Sequence, residues 1–320
     1  NLRVVTDGTV SPAILGIDTD LSGKFLTYDT TSGFTAATPT LSTSLGINDV
    51  TASTVYEVVD DQSVASGGAP QLAALELNGG SVTGSGAQLL VGNQAAGGVA
   101  GIVMNAGSIS VDTLTFGAAA AVVYASTSDG LEISSNLSGS GGLSLFGPGT
   151  LTLSADNGGS LSGPVNVNTG TLIAAGTSAT GSGTVQVHSA GRLEVTGSVA
   201  GPIDVAQGAT LRLENGAIEG TVSIADIGDS PMPGGILEGA GVISSAATIG
   251  GTLRPGERAG ILEFQAQATI TGTAMIYWRL EKLVADVDSK PGEGWNGYLF
   301  DDAGSGVGLS GDAPMYLLEF

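Results

Sequence analysis

Short runs of alternating apolar residues, each closed by glycine, recur along this chain at a nearly constant interval. Gly163, Gly183, Gly201 and Gly220 open the runs GPVNVNTG, GTVQVHSAG, GPIDVAQG and GTVSIADIG. Their leading aliphatics, Val165, Val185, Ile203 and Val222, are spaced 20, 18 and 19 residues apart. A second run follows each of the first three, at Leu172, Leu193 and Leu211. Alternation with period two marks strands that bury one face, and glycine marks the turns between them. A sandwich or a set of antiparallel hairpins also alternates. Neither fold commonly places four similar short strands 18 to 20 residues apart in succession.

A period near 19 with two or three strands per period is the signature of a solenoid. One such coil is too small to bury its own apolar face. Stacked coils bring Val, Ile and Leu into inward columns and form a continuous core. Each strand then bonds to its equivalent one coil away, about 4.8 Å along the stack. The reading is all-β: a right-handed parallel β-helix with coils of about 18–20 residues. The right hand is the usual one for parallel crossovers, and the six-residue rhythm of left-handed coils is missing.

The stretches LAALELNGGSV (from Leu72), GIVMNAGSISVDTLTFG (from Gly101) and GLEISSNLSGSGGLSLFGPG (from Gly130) follow the same grammar with looser spacing. Phe116, Tyr124 and Phe146 are expected as larger fillers of the core. Residues 1–53 are irregular and Thr-rich, and are expected to form atypical coils or a cap. Residues 54–270 form the helix proper, interrupted by an inserted loop near 225–235. Residues 271–320 hold both tryptophans, Trp278 and Trp295, and are expected as wider terminal coils or a junction. The apolar alternating run MYLLEF at the end predicts pairing with further coils or a neighbouring copy.

Composition narrows the function classes. Thirty acidic residues against nine basic ones give a formal charge of -21, a poor match to a phosphate backbone or an anionic membrane. Cysteine is absent, which removes disulfides, thiolate metal sites and cysteine nucleophiles. No apolar run approaches the length of a membrane-spanning helix.

The stretch Phe146 to Gly176, FGPGTLTLSADNGGSLSGPVNVNTGTLIAAG, resembles the autotransporter-associated β-strand repeat, also called the passenger-associated transport repeat. That family's pattern runs approximately GxGTLTLSG, then NTYSGxTTVNxGTLxxG. Ser162-Gly163 matches its SG, and Val165, Val167, Asn168, Gly170, Thr171 and Leu172 match its VNxGTL. Asn-Gly-Gly replaces the usual Asn-Thr-Tyr. The stretch GGTLRPGERAGILEF, from Gly250, resembles the family's closing element GTLSPGNSPGTLTV, with Arg254 and Glu257 departing from its Ser and Asn. The resemblance implies an exported bacterial protein, displayed or released outside the cell, whose repeats are architecture rather than catalyst.

Few residues offer chemistry. His188 is the one histidine, and Ser189 beside it points to the opposite face of the strand, which is unsuited to a triad. Glu194, Asp204, Glu214 and Glu219 are the carboxylates available for glycoside chemistry. The first three each follow an inward aliphatic and are expected on a solvated face. Paired aspartates near loops suit calcium, which takes hard oxygen ligands. Asp226 with Asp229 and Asp286 with Asp288 are the calcium candidates, with Asp18/Asp20 and Asp301/Asp302 as further pairs. None matches an EF-hand loop or the Gly-Asp nonapeptide. Asn136-Leu137-Ser138 fits a glycosylation sequon.

The expected function is that of an extracellular structural rod: a stalk, fibre or adhesin segment, without enzymatic activity. Its expected partners are further repeats or copies of itself, and a glycan or host surface. A carbohydrate-binding or polysaccharide-degrading module is the alternative.

Overall fold

The computed structural model describes residues 8–9, 11–127, 129–228, 233–254, 261–271, 274–279, 297–300, 307–310 and 315–319, with side chains between residues 11 and 277. Its elements are β-strands and one 3-10 turn, Ile47–Asp49, with no α-helix among the described residues. No helix among them is long and apolar enough to cross a membrane. The chain divides into two units, Asn1–Pro164 and Val165–Phe320. Each is a β-solenoid of stacked parallel strands.

In the second unit the strands Val165–Val167, Val185–Val187, Ile203–Val205, Val222–Ile224, Ala247–Ile249 and Ala268–Thr271 pair in parallel, each with the next. Val165, Val185, Ile203 and Val222 are direct register partners in a single file. Val167, Val187, Val205 and Ile224 form a second file beside them, and all eight side chains are buried. The residues between, Gln186, Asp204 and Ser223, point outward and are exposed. One residue of offset would turn every strand inside out, so the alternation fixes the register.

The opposite wall repeats the arrangement. Strands Gly170–Ala174, Gly191–Val195, Thr210–Ile218, Ile236–Ile243 and Thr252–Arg254 place Leu172, Leu193, Leu211, Leu237 and Leu253 in one inward file. Burying each such side chain contributes at most roughly 1.5–3 kcal/mol. The inserted loop is a departure from this stack. The Gly235 N–H donates to Ala225 O at 2.9 Å and closes its base, so the coil resumes in register. Beyond it, Met275–Arg279 is a strand, and Gly297–Phe300, Val307–Ser310 and Met315–Glu319 continue the parallel pairing.

The first unit stacks Val55–Val58, Ala74–Leu77, Val99–Met104, Ala120–Ala125 and Leu143–Phe146. Tyr56, Leu75, Ile102, Val123 and Leu145 are the inward file. The intervals are now 19, 27, 21 and 22 residues, because the opposite strand Val82–Val91 carries a bulge between Gly84 and Gln88 and a longer turn follows it.

Phe116 is fully buried inside the coils, as expected. Tyr124 is buried as well, but on the outward face of its strand, in a second core; Phe146, its register partner on the next strand, faces outward too and is not a core residue. Phe146 is 40% exposed, whereas Tyr124 is covered from outside. Its cover comes from the irregular N-terminal region. Strands Leu15–Ile17, Gly23–Asp29 and Gly33–Ala36 form a small antiparallel sheet that is not a coil of the stack, whereas Thr40–Leu41 pairs in parallel with Val55–Val58 and begins the stack as an atypical coil. The antiparallel sheet lies against the side of the solenoid, packing Phe25 on Ala74, Val103 and Tyr124. Gly101 makes room for it: a Cβ there would lie 2.4 Å from Pro12 and 2.8 Å from Phe25.

Candidate functional site

Each unit concentrates its polar chemistry in one place. In the first unit that place is the seam between the antiparallel sheet and the solenoid. The strands ending at Leu77, Met104 and Ala125 are in register, so the corner residues that follow them, from Asn78, Asn105 and Ser126, stack as well. Asn105 reads the main chain of Gly23 as a neighbouring strand would. Its Oδ1 accepts the Gly23 N–H at 2.8 Å and its Nδ2 donates to Gly23 O at 2.9 Å. Asn105 Nδ2 also donates to Asn78 Oδ1 at 2.7 Å. Asn78 Nδ2 in turn donates to Glu57 Oε1 at 2.6 Å and Glu76 Oε1 at 2.8 Å. This amide chain ties the added sheet to three successive coils of the solenoid.

Glu76 is 4% exposed beneath that sheet. Burial raises its pKa above the ordinary carboxylate value, opposed by the Asn78 bond and the Lys24 charge. Tyr124 donates its hydroxyl hydrogen to Leu21 O at 2.8 Å and holds the tight turn before Gly23. Within that turn, Asp20 Oδ1 accepts from both the backbone N–H and the hydroxyl of Ser22, which lowers the Asp20 pKa. Lys24 Nζ lies 2.6 Å from Asp18, and this bond raises the lysine's pKa. Between this turn and the stacked corners lies an open cleft of about 320 Å³, lined by Asp20, Ser22, Lys24, Asn78, Asn105 and Thr127, with Ala106 and Ser126 completing the wall.

In the second unit the outward file Glu194, Arg212, Glu238 and Arg254 alternates in charge from strand to strand. Arg192 and Glu214 flank it. Glu238 is the hub: Arg254 Nε lies 2.6 Å from one oxygen and Arg192 3.2 Å from the other. Arg212 pairs with Glu214, and Arg192 also reaches Glu194 at 3.6 Å. No Lys or Arg lies between Lys24 and Arg192 in the sequence, so three of only nine basic residues converge on this patch.

The carboxylates taken from the sequence for glycoside chemistry are therefore not one group. Glu194 and Glu214 do point outward, but they are held by arginines rather than simply solvated. Asp204 and Glu219 are exposed and stand apart from that patch. His188 is partly buried, with Nε2 3.5 Å from Asn166 Oδ1. Asn136 of the sequon is exposed in strand Asn136–Gly139.

Of the calcium candidates, Asp226 turns Oδ1 onto the Gly228 N–H at 3.1 Å, capping its own turn. Asp229, Asp286 and Asp288 lie outside the described residues, as do Asp301 and Asp302. Among the described residues no three acids or histidines converge on a point where a metal ion would sit. Sequence reasoning missed Arg192, Arg212, Glu238 and Arg254. Superposing the coils on their own period would have lined up their alternating signs. The cavity had no such signal, because it depends on where the N-terminal sheet docks. Compared with family descriptions, characterised proteins and solved structures, the chain matches none of them.

Proposed function

We propose that this chain is a structural segment of an exported bacterial surface protein, whose solenoid serves as a stalk, fibre or adhesin segment rather than as an enzyme. The observation that carries the reading is the single-file register of Val165, Val185, Ile203 and Val222. A repeat of this kind adds length coil by coil with one packing solution, which is what a spacer needs. Resemblance of Phe146 to Gly176 to the passenger repeat supports the exported setting, and the high negative charge keeps an apolar-cored solenoid from clumping.

The test is surface labelling. An antibody raised against the 320-residue chain is applied to intact and to lysed cells of the bacterium that makes it. The expected result is labelling of intact cells that brief external proteolysis removes. Labelling only after lysis overturns the proposal.

A further inference from the structure

We propose that the cavity between the N-terminal sheet and the solenoid is a binding site for a neutral polyhydroxylated ligand, a single sugar residue or the terminal residue of a neutral glycan. This assignment goes beyond the architectural reading and does not depend on it. At about 320 Å³ this open cleft falls at the lower end of the range for small-ligand sites, enough for one sugar residue entering from solvent. It is also built from two independent parts. Three stacked corners, at Asn78, Asn105 and Ser126, supply one wall, and the turn from Asp20 to Lys24 supplies the other.

The lining decides the ligand class by elimination. Ala106 is its single apolar residue, so an apolar ligand gains little by entering. An anion meets one ammonium, Lys24, already held 2.6 Å from Asp18, with Asp20 alongside and Glu76 buried nearby. A cation meets that same ammonium in the wall, and Asp20 Oδ1 is committed to Ser22. What remains is a neutral molecule whose groups both donate and accept. A hydroxyl does so, and the wall answers with both roles: the second Asp20 carboxylate oxygen and the Ser22 oxygen accept, Lys24 retains further N–H donors, and the Thr127 hydroxyl serves either way. The amide chain through Asn78 and Asn105 holds this wall in place before any ligand arrives, which lowers the entropy lost on binding.

The test uses the full chain on a glycan array carrying neutral, sialylated and sulfated members, followed by calorimetric titration of the best neutral oligosaccharide. Two variants probe the cavity. Ala106→Trp fills it, and Asp20→Ala removes an acceptor from an exposed turn whose loss leaves the solenoid folded. Phe146→Ser, on the same sheet face but outside the cavity, is the control. The expected result is retention of at least one neutral glycan, with affinity reduced tenfold or more by each cavity variant and unchanged by the control. Retention of no neutral glycan, retention confined to anionic glycans, or unaltered affinity in Asp20→Ala each overturns the assignment.

Discussion

Arg254 donates its Nε–H to Glu238 Oε2 across 2.6 Å, from the neighbouring strand of the same stack. Glu238 is only 8% exposed at its side chain, while Arg254 is 46% exposed. That asymmetry sets the energetics. Removing the carboxylate leaves Arg192 and Arg254 without their shared partner, whereas removing one half-exposed arginine leaves the other in place.

Glu238→Ala is therefore expected to lower local stability by about 2 kcal/mol, and Arg254→Met by less than about 1 kcal/mol. Solenoids need not unfold in one step, so the readout is hydrogen exchange across Ile236–Ile243 rather than a single melting point. Equal exchange in the two variants would contradict the central role of Glu238.

Leu211 is fully buried in the inward file of the second unit, and Asp204 is exposed on the outside of the opposite wall. Leu211→Ala is expected to destabilise by roughly 2–5 kcal/mol, through lost burial plus the cavity left behind. Asp204→Ala is expected to stay within about 0.5 kcal/mol. Urea titration followed by circular dichroism compares the two directly.

Gly239 has φ +104°, and a Cβ there would lie 2.0 Å from Leu213 O. Backbone strain and a main-chain clash act together, so Gly239→Ala is expected to cost more than about 2 kcal/mol. Gly33 has φ +75° but nothing within 4 Å of its added Cβ, so Gly33→Ala meets only the backbone term, roughly 1–2 kcal/mol. Thermal melts of both variants separate strain from collision.

Glu76 makes stability depend on pH. Its folded pKa is raised from 4.5, so between 4.5 and the raised value the folded chain holds a proton that the unfolded chain has lost. Stability falls as pH rises through that window and is flat above it. Asp20 and Asp29 have lowered values and act in the opposite direction, losing their contribution as pH falls below 3.8. Glu76→Gln is expected to flatten the decline above pH 4.5 and to raise the melting temperature at pH 7, while leaving the acid limb unchanged. A melting temperature at pH 7 that drops in Glu76→Gln would show that the carboxylate form stabilises the seam.

The strands of the second unit were legible in the sequence because Val165, Val185, Ile203 and Val222 carry the period on residues that burial constrains. The register of those four residues follows the spacing directly. The same rule found Tyr124 buried but did not reveal that it packs outside the coils, and it misplaced Phe146. Alternation reports which residues share a face, and a strand covered on both sides is apolar on both, so inside and outside become indistinguishable by pattern. The antiparallel sheet left no periodic trace because it occurs once. Its partner positions, Phe25 on Val103 and Tyr124, are separated by most of a hundred residues. The arginine–glutamate file was readable in principle, but only after equivalent positions are compared across coils rather than along one strand.

The pairing of Val165 with Val185, and of Val185 with Ile203, has an evolutionary corollary. Every layer offers its neighbours above and below the same two aliphatic contacts, so a duplicated or excised turn still finds a matching surface at the splice. Gene-level copying errors of one full turn would then leave the apolar files unbroken, and would be tolerated best away from the alternating charges of Glu194, Arg212, Glu238 and Arg254. Selection on reach could act through slippage of the repeat itself, with no new packing to invent.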